Sequence, residues 1–321
     1  MKAIVHYDFG SADVLRCEDI EKPVPKDNEV LIRVRAAGLN PLDWHFMEGE
    51  PRFLRLIAGV GRRKGVGADA AGEVEAVGRS VTQFKTGDVV FGGGKGTAAE
   101  YACAPESAVA LKPDGVSFEQ AAALPIAGSS ALQGLRDKGH LQAGQKVLIN
   151  GAAGGVGTFA VQIAKALGAE VTGVCSTKNL ELVRSIGADR AIDYTQKDFA
   201  EDGQKYDVIL DCNMNHSPAE IRRVLEPKGI CVVVGGPSAG TMTILAGMLR
   251  QLLEAPFRSQ KVMAFMMKRR RADLRTLAEM MSAGKLTPVI DRCYGLDQTA
   301  DAVRYLEAGH ARGKVVITVA T

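Results

Sequence analysis

A glycine-rich turn between an apolar run and an amphipathic segment is the feature that most constrains the fold of this chain. Residues 146–169 read KVLINGAAGGVGTFAVQIAKALGA. The run Val147–Ile149 is typical of a buried strand, and apolar residues recur at helical spacing after the turn. Glycines allow a sharp turn and the close approach of an anion, and the helix N-terminus that follows offers unpaired N–H groups to it. The layout predicts a pyrophosphate-binding βα unit.

The turn departs in one place from the GxGxxG pattern of dinucleotide-binding units. Ala152 stands where the first glycine is expected, and Gly151 lies one position early. A glycine cluster can also serve a structural turn alone. The strand before it and the helix after it are the context that the nucleotide-binding interpretation requires. The residues predicted to bind the dinucleotide here are Ala152, Gly154, Gly155, Val156 and Gly157.

Strand and helix patterns alternate from Lys146 onward, which predicts right-handed crossovers and a parallel sheet covered on both faces. The first part of the chain is instead rich in candidate strands and glycines, which is typical of a compact β-barrel domain. Within it, Asn40 and Pro41 suit the N-cap and first position of a short helix. A strand near 261–265 and a helix over 241–253 are also expected.

The residues after the second strand of the βα unit bear on the choice of dinucleotide. In an NAD-binding unit, an acidic residue about twenty residues past the glycines bonds the ribose 2′-hydroxyl. This chain reads Cys175-Ser176-Thr177-Lys178 there, without a carboxylate. Ser176 and Lys178 are suited to binding a 2′-phosphate, so NADP(H) is the predicted cofactor. Ser176 and Thr177 are also suited to capping the next helix, and both interpretations can hold.

Composition narrows the classes of partner. A net charge of +3 over 321 residues is too small to indicate nucleic acid or a membrane surface. The basic run Lys268–Arg271 has no interleaved aromatics and is interpreted as a solvated face. The N-terminus lacks a long apolar segment, and charges interrupt the apolar stretch at 242–267, so no signal peptide or membrane span is expected. Six scattered cysteines fit buried, reduced thiols of a cytoplasmic protein.

Several motifs along nearly the whole chain resemble the medium-chain dehydrogenase/reductase superfamily, in its zinc-free quinone oxidoreductase branch. They are the opening MKAIV, Ala36–Asp43, Gly67–Gly78, Phe84–Val90, Leu124–Gly128, the GAAGGVG turn, Ile186–Asp189 and Gly313–Val316. The resemblance implies an α/β protein that combines a GroES-like β-barrel domain with a Rossmann doubly wound parallel sheet. The expected domains are 1–124 with 287–321 (GroES-like) and 125–286 (Rossmann, NADP-binding). It also implies a homodimer, with 261–265 as the candidate edge strand.

The departures from the zinc enzymes of the superfamily are equally informative. Asn40 stands where those enzymes have a cysteine ligand, and Gly67-Ala68-Asp69 replaces their Gly-His-Glu segment. The structural zinc lobe is missing between Phe91 and Tyr101. Without thiolates and imidazoles at tetrahedral spacing, no metal site is expected. The Lewis acid that polarises an alcohol oxygen is thereby removed, which favours substrates that are already activated for hydride attack.

Residue by residue, the resemblance implies roles for five side chains, namely Asn40, Asp43, Ser130, Tyr194 and Lys314. Asn40 and Asp43 match positions near nicotinamide and substrate, so they are the candidate catalytic residues. For Asn40 the alternative is the helix cap, and for Asp43 it is a favourable interaction with the helix dipole. The candidate cofactor-binding residues are Ser130, Ser176 with Lys178, Tyr194 beside the 2′-phosphate, and Lys314. The alternative for Ser130 is a plain interior helix residue, and the alternative for Lys314 is a solvated strand end.

The sequence therefore predicts an NADPH-dependent, zinc-independent oxidoreductase that transfers hydride to quinones or α,β-unsaturated carbonyls. The cofactor supplies the chemistry, and the protein positions it. A hydrogen-bond donor is expected to steady the oxygen that gains charge. The alternatives are a zinc-independent alcohol or aldehyde reductase that uses NADP, and a non-enzymatic NADPH-binding protein.

Overall fold

A computed structural model of the 321-residue chain describes residues 1–49, 63–234 and 259–320. By contacts between its residues, the chain divides into two compact units. The first comprises Met1–Ser129 and Lys268–Thr321, and the second comprises Ser130–Met267. These contact-defined boundaries place the helix Arg271–Ser282 in the first unit, where it packs against the strand Val109–Leu111. The sequence-based boundaries for the functional domains stay a prediction.

The first unit is built on two β-sheets. The larger has the strand order β15-β16-β3-β5-β6-β8, with β7 paired to β3, and the smaller has the order β2-β1-β4. The strands are β1 (Lys2–His6), β2 (Arg16–Asp19), β3 (Glu29–Leu39), β4 (Lys64–Gly65), β5 (Asp69–Val77), β6 (Val89–Gly93), β7 (Tyr101–Pro105), β8 (Val109–Leu111), β15 (Ile290–Gly295) and β16 (Lys314–Thr318). Because β16 pairs antiparallel with β3, the C-terminal segment completes the sheet begun near the N-terminus.

Helices pack against this β unit. They are α1 (Pro41–Glu48), α2 (Phe118–Ala122), the first part of α3 (Pro125–Leu132), α7 (Arg271–Ser282) and α8 (Thr299–Glu307). Most residues of β3 from Val30 to Leu39 are buried, and Val30, Ile32, Val34, Ala37 and Leu39 join residues of β16 and α8 in one apolar core. The buried core holds the junction between β3 and α1 in position. The candidate catalytic residues lie at this junction.

The second unit is a six-stranded parallel sheet in the order β11-β10-β9-β12-β13-β14. Its strands are β9 (Lys146–Asn150), β10 (Glu170–Cys175), β11 (Arg190–Asp193), β12 (Tyr206–Asp211), β13 (Leu225–Val233) and β14 (Lys261–Ala264). Its helices are α4 (Gly155–Ala166), α5 (Leu180–Ser185) and α6 (Pro218–Val224), and α3 continues as a π-helical segment, Gln133–Lys138. The chain winds outward from β9 in both directions, which is the Rossmann order 3-2-1-4-5-6. The predicted α/β fold class is confirmed.

Some sequence predictions fall outside the described residues. These include the helix expected over 241–253 and nearly all of the segment 51–64. The strand expected at 261–265 is present as the edge strand β14, which pairs in parallel with β13. Burial of the cysteines was predicted too broadly, since Cys17 and Cys293 are exposed, although all six thiols are free. Within the described ranges, no helix is both long and apolar enough to cross a membrane.

Candidate active site

The glycine turn joins the central strand β9 to the helix α4. Gly151 has φ of +84°, a conformation that favours glycine, and its N–H bonds Val174 O of the neighbouring strand at 3.2 Å. Gly157 lies so close to the turn that a Cβ there would stand 2.1 Å from Gly151 O. Ala152 is fully buried, and its N–H also donates to Val174 O, at 2.9 Å. The fold thus accommodates alanine at 152, where its methyl packs inside, but requires glycine at 157.

The N-terminus of α4 has the properties of an anion-binding site. The N–H groups of Gly155, Val156 and Gly157 have no intrahelical partner, because they lie in the first turn of the helix. Gly154 is the N-cap, and it has no side chain that could bond them. A Cβ on Gly154 would approach no atom of its surroundings more closely than 3.4 Å. These open amides and the positive end of the helix dipole suit the pyrophosphate of a dinucleotide. The residues present therefore fit the cofactor that the sequence predicts.

A polar network that sequence reasoning missed supports the turn from the neighbouring strand. Asn150, which is 1% exposed, donates from Nδ2 to Asp211 Oδ1 (2.8 Å) and to Asn215 Oδ1 (2.9 Å). Asp211 Oδ1 also accepts from the backbone N–H groups of Asn213 and Met214, at 3.1 and 2.9 Å. The carboxyl ends of β9 and β12 are thereby tied together directly beside the glycine turn. The sequence signal that could have revealed this network is a polar residue at the end of two apolar strands, Asn150 in β9 and Asp211 in β12.

The residues predicted to choose the dinucleotide lie at the end of β10. Ser176 is half-buried and its Oγ accepts from Asn179 Nδ2 at 3.2 Å, and Lys178 is exposed. Ser176 occupies the N-cap position of a short 3₁₀ turn, but its side chain makes no capping bond. Tyr194 is 55% exposed at the end of β11, and its N–H donates to Cys175 O at 3.0 Å. Strand pairing therefore brings Tyr194 next to the turn that carries Ser176 and Lys178.

The candidate catalytic residue Asn40 stands in the first unit, at the junction of β3 and α1. It occupies the N-cap position of α1 with an extended backbone, but its side chain makes no capping bond. Instead, Asn40 Nδ2 donates to Asp69 Oδ2 at 2.9 Å, and Asn40 Oδ1 accepts from Lys314 Nζ at 2.6 Å. Asn40 is therefore the N-cap residue of α1, as predicted, while its side chain bonds Asp69 and Lys314. The carboxylate of Asp43 binds this junction from the helix side, where Oδ2 accepts the Asn40 backbone N–H at 2.8 Å.

Lys314 is a buried cation rather than a solvated strand end. It is 3% exposed, and its ammonium group donates to Leu39 O as well as to Asn40 Oδ1, both at 2.6 Å. Asp69 is fully buried and accepts Ile126 N–H at 3.1 Å on the same oxygen that bonds Asn40. Its other oxygen, Oδ1, has no hydrogen-bond partner among the described residues. The sequence showed Asp69 only as a substitution in a zinc motif, and its partners come from distant parts of the chain.

These groups perturb one another's protonation. Burial raises the pKa of Asp43 to about 7, opposed by the hydrogen bond from the Asn40 N–H and by the charges of Lys314 and Arg269, while the charge of Asp69 adds to the rise. Burial also raises the pKa of Asp69 and lowers the pKa of the Lys314 ammonium. Two carboxyl groups thus share one fully buried cation. A proton on Asp43 leaves one buried anion beside one buried cation, the arrangement that costs least in a low-dielectric interior.

The other predicted residues are placed as follows. Ser130 is 6% exposed near the end of α3, and no described hydrogen bond involves its hydroxyl. The basic run 268–271 is not simply solvated, because Arg269 Nη1 donates to Gly94 O at 3.2 Å and lies against Gly93. Within residues 1–49, 63–234 and 259–320, no group of three or more His, Cys, Asp or Glu side chains is placed to hold a metal ion.

Comparison with known proteins agrees with this architecture. Residues 26–114 match the alcohol dehydrogenase GroES-like domain, and residues 186–317 match a domain described as zinc-binding dehydrogenase. A 2-methylene-furan-3-one reductase of Solanum lycopersicum is 36% identical, over 99% of this chain and 79% of that protein. A chloroplastic NADPH-dependent alkenal/one oxidoreductase of Arabidopsis thaliana is also 36% identical, with the same coverage. The solved quinone oxidoreductase of Coxiella burnetii is 31% identical, with a TM-score of 0.86 over 100% of this chain and 99% of that one.

A GroES-like unit combined with a Rossmann unit defines a pyridine-nucleotide-dependent dehydrogenase, and the glycine turn supplies the nucleotide-binding feature of that class. The chain belongs to the medium-chain dehydrogenase/reductase superfamily, in its quinone oxidoreductase branch.

Proposed function

We propose that this protein is an NADPH-dependent reductase of quinones or α,β-unsaturated carbonyl compounds. The observation that carries the proposal is the 151–157 turn, whose open amides stand at the carboxyl end of the central strand β9. Ligands of doubly wound sheets bind at this edge, where the strand order reverses. The alkenal/one, furanone and quinone oxidoreductases that resemble this chain support this substrate class.

NADPH is the proposed cofactor because of the residues that follow β10. Bound NADPH would supply the hydride. Ala152, Gly154, Gly155, Val156 and Gly157 would hold its pyrophosphate. Ser176, Lys178 and Tyr194 would surround the adenosine ribose, where a hydroxyl and an ammonium group recognise a 2′-phosphate. We place the hydroxyl of Ser130 at the same cofactor.

The catalytic assignments of Asn40 and Asp43 are refined by their contacts. Asn40 uses Oδ1 for Lys314 and Nδ2 for Asp69, so we propose that it is a positioning residue that holds this buried network. Lys314 acts with it, at the junction of β3 and α1, and is assigned to the network rather than to direct contact with the cofactor. About half of the Asp43 carboxyl groups carry a proton at neutral pH, because burial raises the pKa of Asp43 to about 7. That property suits a group that returns a proton to the reduced substrate.

The remaining partner proposal is a homodimer formed along the edge strand β14, whose only partner among the described strands is β13. An edge strand leaves backbone groups available for pairing with a second copy. Light scattering with size-exclusion chromatography tests this: a mass near one chain would contradict it.

The experiment that tests the function is a substrate panel with the purified protein. Quinones, enones, enals and saturated aldehydes are offered with NADPH and with NADH, and the products are identified. The proposal expects NADPH oxidation with quinones and enones, and reduction of the C=C bond of an enal. Reduction of the C=O bond alone would support an alcohol or aldehyde reductase. Tight NADPH binding without any turnover would support a non-enzymatic binding protein.

A further inference from the structure

A carboxylate stands beside the predicted 2′-phosphate site, although the sequence around Cys175 contains none. In the parallel pair β10 and β11, Cys175 is the register partner of Asp193. Residues in register on parallel neighbours are about one interstrand spacing apart, roughly 4.8 Å, and their side chains project from the same face. Asp193 is therefore brought from the next strand to the place where NAD-binding units keep their ribose-binding acid.

Hydrogen bonds hold the Asp193 carboxylate against the turn that follows β10. The Thr177 hydroxyl donates to Oδ2 at 2.5 Å, and the Thr195 N–H and hydroxyl donate to Oδ1 at 3.0 and 2.8 Å. Thr177 lies between Ser176 and Lys178 in the chain, so this bond fixes the carboxylate at the same turn. These hydrogen bonds, with that of Thr177 foremost, lower the pKa of Asp193. The group is an anion at neutral pH.

The charge and the bonds of Asp193 have different consequences for the two cofactors. A 2′-phosphate beside Ser176 and Lys178 would gain attraction from the lysine and repulsion from the carboxylate. A ribose 2′-hydroxyl carries no charge, and both oxygens of Asp193 already accept hydrogen bonds from Thr177 and Thr195, so NADH would gain or lose little. We propose that Asp193 limits the preference for NADPH over NADH by opposing the 2′-phosphate at the turn that carries Ser176 and Lys178. This inference rests on the proposed use of NADPH, and it assigns dual cofactor use to the same site.

The competing explanation is that Asp193 only supports the turn. Loss of a supporting residue would weaken both cofactors alike and would not depend on salt. An electrostatic role acts on NADPH alone and shrinks as salt screens the exposed charges. The two roles are therefore separable by binding measurements.

The test measures dissociation constants of NADPH and NADH by cofactor fluorescence, without substrate, at about 0.05 M and about 0.5 M salt. Asp193→Asn removes the charge and keeps an oxygen that accepts a hydrogen bond from either threonine. Thr177→Val keeps the charge and removes one bond to it. The matched control is Asp207→Asn, which makes the same charge change at the amino ends of the parallel strands, where Asp207 Oδ2 accepts Lys146 N–H.

Asp193→Asn is expected to lower the dissociation constant of NADPH about three- to tenfold at low salt and by less at high salt. The dissociation constant of NADH should change little. Asp207→Asn and Thr177→Val should leave the ratio of the two constants near that of the parent protein. The inference would be overturned if Asp193→Asn changed both dissociation constants equally. It would also be overturned if Thr177→Val changed their ratio as much as Asp193→Asn does. If the parent protein binds neither cofactor, the proposed function itself fails, which is a distinguishable result.

Discussion

The ammonium group of Lys314 bonds Asn40 Oδ1 at 2.6 Å across 274 positions of sequence, inside the first unit. Zinc enzymes of the superfamily resemble this chain but carry a cysteine ligand in place of Asn40. Here a buried cation from the last strand bonds that residue, and two buried carboxyl groups complete the cluster. The cluster joins the end of β3, the start of β5, the start of α1 and the start of β16. Its protonation and its stability are consequently coupled.

Lys314→Met should be strongly destabilising. The change removes the only cation that bonds Asn40 in the described structure, and with it the positive charge that most offsets the buried charge of Asp69, to which Arg269 contributes less. Breaking a buried ion cluster on one side costs about 3–5 kcal/mol. Urea unfolding measures this, with Lys146→Met, an exposed lysine at the start of β9, as the matched control. A loss below about 1 kcal/mol would mean that the lysine's burial is not energetically coupled to the carboxylates.

Asp43→Asn should change how stability depends on pH. The folded-state pKa of Asp43 is raised from 3.8 to about 7, so the folded protein binds more protons than the unfolded chain between those values. This group's contribution to stability therefore falls as pH rises through that window and is constant above it. Asparagine removes the titration and keeps an acceptor for the Asn40 N–H. Between pH about 4 and pH about 8, the unfolding free energy of the variant should rise relative to that of the parent protein.

The control for this titration is Asp114→Asn, which removes an exposed carboxylate from the same unit. Its stability difference from the parent should vary little over the same pH range. A difference for Asp43→Asn that stays flat with pH, or that declines as pH rises, would contradict the assignment of a protonated, buried Asp43.

Gly157→Ala and Gly154→Ala should separate folding from cofactor binding at the turn. A Cβ on Gly157 would stand 2.1 Å from Gly151 O, so this variant should lose about 1–3 kcal/mol or more of stability. A Cβ on Gly154 has room, with its nearest neighbour at 3.4 Å, and φ is −82°, which alanine adopts readily. That variant should keep its stability and bind NADPH about tenfold more weakly, because the methyl group blocks the anion's approach.

Thermal or urea unfolding and NADPH titration of both variants supply the two readouts. A stable Gly157→Ala protein would contradict the described turn. Unchanged NADPH affinity in Gly154→Ala would contradict the placement of the pyrophosphate at the N-terminus of α4.

Lys178→Glu should discriminate between the cofactors. Reversing the charge beside the proposed 2′-phosphate should weaken NADPH at least about tenfold and leave NADH within about twofold. The measurement is the KM of each cofactor with one accepted substrate. Lys146→Glu makes the same charge reversal at the amino end of the central strand β9 and should change neither KM. Equal effects of Lys178→Glu on both cofactors would contradict the assigned role.

The parts of this molecule that were predictable from sequence are those set by local chemistry. The glycine turn, the alternating strands and helices, and the helix start at Pro41 each depend on residues a few positions apart. The Rossmann order and the fold class followed from them together with the resemblance. The edge strand at Lys261–Ala264 was likewise visible as a short apolar run.

What the sequence did not reveal depends on strand pairing. Asp193 reaches the turn at Ser176 and Lys178 only because β11 pairs with β10 in a register that sets it beside Cys175. Lys314 meets Asn40 only because β16 pairs with β3, with Val315 opposite Leu39. Asp193 looked ordinary at the end of a short strand, and Lys314 was noted as a motif residue without its partner. Register between distant strands is fixed by the packing of whole faces, which a local pattern does not contain.

The most direct test of the proposed function is the fate of the hydride. Purified protein is incubated with an enone and NADPH that carries deuterium at C4 of the nicotinamide, and the product is examined by mass spectrometry and NMR. With both C4 hydrogens replaced by deuterium, so that either face delivers the label, the account predicts NADPH consumption and one deuterium on the β-carbon of the saturated ketone. Deuterium on the carbonyl carbon, or a product without deuterium, would contradict it.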